Sequence, residues 1–572
     1  MLNKIFFRLL LIYIALFLKC DSEDQTPGEA LKQANNFIFQ DVTEKTKLDF
    51  IHNPAVENRY AMPESMGAGA AFLDYDNDGD LDIYFINGAY RDSNKRRKPL
   101  LSNRLYQQQD DGTFIDVTES SGLGDTGYGM GVAAGDIDND GDVDVYVTNF
   151  GPDVLYRNNG DGTFTNISNA AGIANSGWGC SAVFFDYNLD TYLDIYITNY
   201  VDYDSTFRCP DKAGRPEYCG PKAFTGQPDV LYRNNGDGTF TDVSRQSGIA
   251  KFNLAGLGVV SADFDNDHYP DIYVANDEDP NLMFINQRDG TFEEQGILMG
   301  VAFNELGIVE AGMGIAIGDI DNDTDIDLYV THLQGESNTL YRRSSGFGFE
   351  DKTVSAGFEK ADLVAYTGFG SGFLDFDHDG DLDLAVANGR IRRGDLLTKT
   401  NPAGYWDYYA EPNLLFENSG QGKFKRIHNL DDPFATHIGN SRGLAFGDVD
   451  NDGDIDMLLL NTGKPARLYT NEKRQKGNWL TVNAIDPAIH RLATGAQITV
   501  LAGANRIVRL IDPAYSYLCS NDPRAHFGLG DVENVDQIIV QWPGGDQEIF
   551  PGVKSNQFIT LRKGDGRKEH ER

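Results

Sequence analysis

The chain has 572 residues, 40% of them hydrophobic and 11% aromatic, enough to bury one large core or two moderate ones. Its formal net charge is −38, from 87 Asp and Glu against 49 Lys and Arg, which argues against nucleic acid or an anionic membrane as a partner. The 62 glycines suit turn-rich β architecture better than helices.

Lys4 and Arg8 precede or interrupt an apolar run from Phe6 to Leu18 that is too short to span a bilayer, so residues 1–20 read as a signal peptide. Cys20 stands where a bacterial lipoprotein carries its lipid, but Lys19 replaces the small residue such a site needs before it. Lipidation and ordinary signal-peptide removal both stay open, and the product is exported either way, held at the cell surface or outer membrane or secreted. Residues 21–35 read as a linker. No later run is apolar for long enough to form a transmembrane helix, so a lipid on Cys20 is the one membrane contact foreseen.

From residue 36 to about 473 one grammar recurs seven times, as Asp-x-Asp-x-Asp-x-x-x-Asp or a near copy. Counted from the first aspartate, positions 1, 3, 5 and 9 are Asp74, Asp76, Asp78 and Asp82; Asp136, Asp138, Asp140 and Asp144; Asp186, Asn188, Asp190 and Asp194; Asp263, Asp265, Asp267 and Asp271; Asp319, Asp321, Asp323 and Asp327; Asp375, Asp377, Asp379 and Asp383; Asp448, Asp450, Asp452 and Asp456. Alternate carboxylates on a tight turn can converge on one hard cation that takes six to eight oxygens, and Gly at position 6 permits the sharp bend. The pattern predicts up to seven Ca²⁺. It is not an EF-hand, because the loop closes on Asp at position 9 and runs into a strand. Thr191, His268 and Thr324 replace the glycine in the third, fourth and fifth loops, so the loops beginning at Asp74, Asp136, Asp375 and Asp448 rank strongest.

Each unit repeats four strand-like runs, as in Gly129-Met-Gly-Val-Ala-Ala-Gly135, Val143-Asp-Val-Tyr-Val-Thr-Asn149, Asp153-Val-Leu-Tyr-Arg157 and Thr163-Phe-Thr-Asn-Ile-Ser168. Four short strands per repeat predict β-propeller blades with the Gly-rich strand innermost. The last-strand motif follows six of the loops, near Phe114, Phe164, Phe240, Phe292, Phe349 and Phe424, and the missing copy lies upstream at Phe39-Gln-Asp-Val-Thr43. The expectation is an all-β, seven-bladed β-propeller over residues 36–473, closed by its N-terminal strand.

Two insertions break the spacing, Tyr200–Pro228 and Gly389–Pro412, and long loops on a rigid ring commonly carry recognition. Cys209 and Cys219 close a short polar loop in the first, where a disulfide is expected in an oxidising compartment; a metal pair is the weaker alternative. Arg393-Gly394-Asp395 in the second is the tripeptide that animal integrins read, and in a chain so rich in Gly and Asp it is better explained by chance. Cys180 reads as a small core residue and Cys519 is unassigned. Residues 474–564 carry strands and turns without acidic loops and read as a separate small β-sandwich-like domain, followed by a charged disordered tail, 565–572.

With those motifs in view the chain resembles FG-GAP/VCBS-type calcium-loop propellers that end in an ASPIC/UnbV domain. The resemblance is carried by the loops, by Leu-Tyr-Arg-Asn-Asn-Gly-Asp-Gly-Thr-Phe at 231–240, by Ser441-Arg-Gly-Leu-Ala-Phe-Gly-Asp448 and Thr494-Gly-Ala496, and by His526-Phe-Gly-Leu-Gly530 with Trp542-Pro543. It implies an extracellular, calcium-dependent binding or adhesion protein.

Function follows from where the acids are spent. They sit in repeated loops and not in one unique cluster, so the leading expectation is a non-enzymatic, monomeric binding module for an extracellular protein or glycan. A calcium-scaffolded glycan lyase or hydrolase would need a non-repeated constellation, and His332, His437 and His526 are scattered. Gly439-Asn-Ser-Arg-Gly443 matches G-x-S-x-G but lacks the helix that a nucleophile elbow requires. A third expectation is a component of an outer-membrane assembly that docks through its C-terminal domain.

Overall fold

The structure is a computed structural model that describes residues 37–56, 60–90, 100–344, 348–397, 403–428, 431–473 and 476–568. Residues 1–20, read as a signal peptide and including Cys20, and residues 21–35, read as a linker, lie outside the described residues.

Among the described residues the chain is all-β in character, and seven sheets have four antiparallel strands in meander order. The first comprises Ala70–Leu73, Asp82–Phe85, Arg104–Gln108 and Phe114–Asp116. In the last, Ser441–Gly447, Asp456–Asn461 and Arg467–Asn471 are joined by Phe39–Asp41, with Phe39 opposite Asn471 and Asp41 opposite Tyr469. All seven fourth strands open on one of the phenylalanines noted above, buried, while the residue after it faces outward or is only half covered. These strands are three residues long, which limits the exposed edge each sheet offers.

The first strands of successive sheets pack side by side, from Ala70–Leu73 against Gly129–Gly135 round to Ser441–Gly447 against Ala70–Leu73. Glycine is required where they converge: a Cβ on Gly258 would lie 2.2 Å from the Met313 carbonyl oxygen, and one on Gly314 2.0 Å from that of Phe369.

Every acidic loop joins a first strand to a second, and the ninth-position aspartate opens the second strand, buried. Asp144 is representative: its Oδ2 accepts the Ile137 N–H at 2.9 Å and its Oδ1 the Asn158 N–H at 2.8 Å from the third strand. Asn158 then donates its side-chain amide to the Tyr75 carbonyl in the preceding sheet's loop, 2.8 Å away. The same clamp links Asn234 to Ile137, Asn286 to Tyr187, Asn418 to Ile320, Asn471 to Phe376 and, through Gln108, the first sheet to Val449 of the last. In the fifth sheet Arg343 holds that place; its backbone N–H still reaches Asp327 at 2.9 Å.

Residues 478–568 form two packed sheets. One joins Arg491–Leu492, Asn478–Asp486 and Ala525–Gly530 with Phe558–Arg562 in parallel; the other runs Asn505–Leu510, Gln497–Ala502, Gln537–Gln541, Gln547–Pro551 and Arg567–Lys568. Their shared core includes Leu480, Val482, Ile498, Val500, Phe527 and Trp542. The tail expected from residue 565 needs correction, because Arg567 and Lys568 pair with Ile549 and Glu548 as an edge strand; residues 569–572 lie outside the described residues.

This domain is not separate in the sense that the change of grammar suggested. Its segment 513–522 runs among the first strands of the four-stranded sheets. Ser516 exchanges backbone hydrogen bonds with Ile315, Ser520 accepts from Phe72 and donates to Ala70, and Leu518 accepts from Val132. Ser516 Oγ donates to the Leu444 carbonyl at 2.6 Å, and Tyr517 Oη to that of Met66 at 3.1 Å. Cys519 is buried in this segment, and Cys180 is buried on a neighbouring first strand.

Replacing the fully buried Tyr517 with Ala removes a ring packed edge-on at 5.0 Å from Phe369, and should cost about 3–5 kcal/mol. Because the segment bonds to several sheets at once, urea titration of Tyr517→Ala should show one transition shifted to lower denaturant for probes in both parts. A sheet-region transition left at its original midpoint would show that the segment contributes nothing there.

Candidate metal sites on the acidic loops

All seven loops fold the same way. The first aspartate accepts the backbone N–H groups of positions 5 and 6: Asp74 from Asp78 and Gly79, Asp136 from Asp140 and Gly141, Asp186 from Asp190 and Thr191, Asp263 from Asp267 and His268, Asp319 from Asp323 and Thr324, Asp375 from Asp379 and Gly380, Asp448 from Asp452 and Gly453. Position 6 has positive φ even where glycine is lost, at 79° for Thr191, 73° for His268 and 79° for Thr324. Those residues hold a bend that glycine adopts without strain. Carboxylate oxygens converge within 4.8 Å in Asp74, Asp76 and Asp78; Asp136, Asp138 and Asp144; Asp263, Asp265 and Asp271; Asp319, Asp321 and Asp327; and Asp375, Asp377 and Asp383.

Position 3 tests whether a cation fits. One oxygen of this carboxylate is held from outside, by Gln107 on Asp76 at 2.7 Å, by Arg342 on Asp321 and by Lys473 on Asp377 at 2.6 Å. The other, Oδ1 of Asp76, Asp138, Asp321 and Asp377, is buried without a hydrogen-bond partner. A buried, unpaired carboxylate oxygen is costly, and the same atom is orphaned in four loops. An all-oxygen donor set of this kind suits a hard cation of the calcium type, for which positions 1, 3, 5 and 9 would supply the ligands.

Burial is the first cause of the raised carboxyl pKa values here. It lifts Asp138, Asp319 and Asp375 to about 6, with Asp140 and Asp136 adding to it at Asp138 and Arg509 opposing it at the other two. Asp448 rises to about 7 against the opposing Arg524, and Asp82 to about 8. Asp144, Asp194, Asp271, Asp327, Asp383 and Asp456 are pushed well above the usual carboxyl range, again by burial first.

The structure adds residues that the sequence reading passed over. The fourth-position asparagine of one loop donates to the seventh-position aspartate of the next, Asn77 to Asp142 at 2.7 Å, Asn322 to Asp381 at 2.8 Å and Asn451 to Asp80 at 3.0 Å. His378 holds that place in the sixth loop, with Nε2 3.0 Å from Asp454 Oδ1. Asparagine at position 4 was a legible signal, since it recurs in five loops.

The C-terminal domain sits on these loops through three arginines. Arg491 reaches Asn139 Oδ1 and the Thr191 carbonyl, spanning the second and third loops. Arg524 reaches the Asp448 carbonyl and Asn451 Oδ1 in the seventh loop, and its charge is felt at Asp74 in the first. Arg509 reaches the Gly380 carbonyl of the sixth loop, and the charges of Asp375 and Asp319 act on it. His268, at the glycine position of the fourth loop, is 3.2 Å from Gln541 Nε2.

The two insertions follow second strands, so in a meander they lie at the opposite end of the sheets from the acidic loops. They meet each other there. Cys209 and Cys219 are joined by a disulfide, Tyr218 stacks parallel to Trp406 at 6.4 Å, Tyr409 Oη donates to Glu217 at 2.9 Å, and the Arg393 backbone N–H donates to the same carboxylate at 3.0 Å. Arg393 also donates to Tyr60 Oη at 2.6 Å, so the arginine of the Arg-Gly-Asp tripeptide is engaged within the chain. His332, His437 and His526 are buried or nearly so and stand apart, with pKa values lowered first by burial.

Comparison with known proteins adds family relationships. Residues 74–147, 136–197, 214–274, 263–330 and 375–459 match the profile of the FG-GAP-like repeat, and residues 487–568 match that of ASPIC and UnbV. The chain is 27% identical over 383 residues to "Cartilage acidic protein 1" of Mus musculus, covering 62% of this chain and 53% of that protein. Against the Homo sapiens protein of the same name it is 27% identical over 361 residues, 60% and 49%. The chain thus spans about half the length of the curated relatives it matches. Similar solved structures include an Agrocybe aegerita lectin described as recognising non-reducing terminal N-acetylglucosamine, at TM-score 0.38 and 14% identity over 70% of this chain and 87% of that one. The rhamnogalacturonan lyase YesW gives TM-score 0.34 and 15% identity over 71% and 72%.

Two expected outcomes follow from the loop geometry. Asp138→Asn should lower the number of calcium ions bound by one, whereas Asp142→Asn, whose side chain faces the neighbouring loop, should leave the count unchanged; metal analysis of dialysed protein decides. A carboxyl whose folded pKa exceeds its unfolded value stabilises the native chain while protonated, and that contribution is lost as pH rises through the folded value. The metal-free protein should therefore lose stability from about pH 4, the unfolded carboxyl value, to about pH 8, the highest folded value cited above. Saturating calcium binds the ionised form, so its increment in melting temperature should grow over the same interval. A calcium increment independent of pH would contradict this.

Proposed function

The chain belongs to the FG-GAP-like repeat family and carries an ASPIC and UnbV domain, and from that premise we propose that it is an exported, calcium-loaded binding protein without catalytic activity. Its seven four-stranded sheets are read as the blades of a propeller closed by Phe39–Asp41, with a calcium ion in each acidic loop. Export leaves it secreted or held at the cell surface through Cys20.

The observation that carries the calcium reading is the buried, partnerless Oδ1 at position 3 of four loops, since it repeats with the motif and not with any one neighbour. Recognition is assigned to the joined insertions. They display Phe207, Leu396, Leu397 and Tyr408, between 36% and 48% exposed, beside the exposed Arg208, Lys212 and Arg392 on an otherwise acidic protein. Apolar and basic side chains on a rigid base suit an extracellular protein or an acidic glycan. His332, His437 and His526 lie apart from one another and their pKa values are lowered first by burial, which favours a binding role over acid–base chemistry at them.

Calcium analysis of the full mature chain should count about seven ions, in line with one per loop. Chelation should lower the melting temperature, because each site at a hundredfold excess of metal over Kd contributes about 2.7 kcal/mol. A melting curve indifferent to chelator would refute the reading.

A further inference from the structure

Where the C-terminal domain meets the acidic loops, the seams differ in how well they are filled. At the fifth to seventh loops Arg509 and His526 occupy the seam and leave about 100 Å³, and at the third and fourth loops Trp542 and His268 leave about 50 Å³. Between the first and second loops the seam holds a cavity of about 330 Å³. Arg491 turns toward the third loop on one side and Arg524 toward the seventh on the other, so neither fills the space between. The volume lies at the low end of small-ligand clefts, roughly 300–1,000 Å³, which suits one ring better than an oligomer.

Its walls alternate in character. Phe72, Leu81 and Leu193 face it from the ring of sheets, and Ile485 and Leu492 from the C-terminal domain. Asp74, Asp136, Asp522, Arg491 and Arg524 line it as well, each already engaged: the first two accept N–H groups of their own loops, Arg524 holds Asp522, and Arg491 holds Asn139 and the Thr191 carbonyl. Asn483 also lines the cavity, and its Oδ1 is buried without a hydrogen-bond partner. The exposed rim, at Asn77, Gly79 and His490, opens the space to solvent.

An anion entering here would find Arg491 and Arg524 already held by the chain, and a cation would find Asp522 paired to Arg524 and Asp74 and Asp136 given to the ions read in their loops. A neutral polyol meets neither objection, because each hydroxyl both donates and accepts, while a carbon-bound hydrogen face can lie on the apolar walls. We propose that this seam binds a single neutral sugar ring. The site lies on the loop face, away from the joined insertions, and goes beyond the reading given for them.

The test is isothermal titration of the full mature chain, calcium present, with D-glucose, D-galactose and D-mannose as probes. At least one should bind saturably with Kd on the order of 1 mM. Leu492→Trp, which fills the cavity without touching a loop aspartate, should weaken that binding about tenfold or more; should it fail to fold, Asn483→Leu, which removes the partnerless acceptor, should do the same. Phe207→Asp, on the insertions, should leave it unchanged. Absence of saturable binding by all three sugars, equal binding by the folded seam variants, or tighter binding of glycine or phosphate at this seam would each overturn the proposal. A chain that binds sugar but counts no calcium would instead overturn the metal reading alone.

Discussion

The buried aspartate at the head of each second strand is the constraint from which the rest of the structure follows. It takes one N–H from its own loop and one from the third strand, so the acidic turn cannot change shape without disturbing the sheet behind it. The third-strand Asn or Gln carries the constraint onward into the preceding loop. Burying a carboxyl is unfavourable in its ionised form, and the raised pKa values of these residues record that cost. A divalent ion at positions 1, 3, 5 and 9 would reverse the preference by favouring the ionised state, which couples metal content to the packing of neighbouring sheets.

The C-terminal domain answers the same electrostatic problem from the other side. Arg491, Arg509 and Arg524 are each placed beside carboxylates of the loops, and burial of the first two lowers their own pKa while those carboxylates oppose the shift. Segment 513–522 then ties the domain to the first strands by backbone hydrogen bonds. Charge and chain threading thus act on the same two bodies, and loss of glycine in the third and fourth loops coincides with contacts to this domain at Thr191 and His268.

Much of this was legible in the sequence because it is local and periodic. The loop spacing, the four strand-like runs and the phenylalanine that opens each fourth strand are all written within a few residues of where they act, and Phe39 fell into place because one copy of that motif was missing downstream. What was not legible depends on partners far along the chain. Asn158 and Asn234 look like ordinary turn residues, and only the neighbouring sheet shows that they are clamps. Segment 513–522 has no periodicity to mark it, since its hydrogen bonds go to strands of other sheets. The two insertions read as independent loops because the pairing of Tyr218 with Trp406 spans a distance that local pattern cannot report. Arg567 and Lys568 were assigned to a charged tail by composition alone, whereas an edge strand tolerates such residues well.

The pairing of Phe39–Asp41 with Arg467–Asn471 has a consequence for biosynthesis. Asp41 and Arg467 are joined across 426 residues, so the earlier segment leaves the ribosome long before its partner exists. Until then Phe39–Asp41 has no sheet to join and is open to mispairing, and native contacts this distant make for slow maturation. The last sheet is therefore completed only once residues 467–471 have been made, however early Phe39–Asp41 emerges.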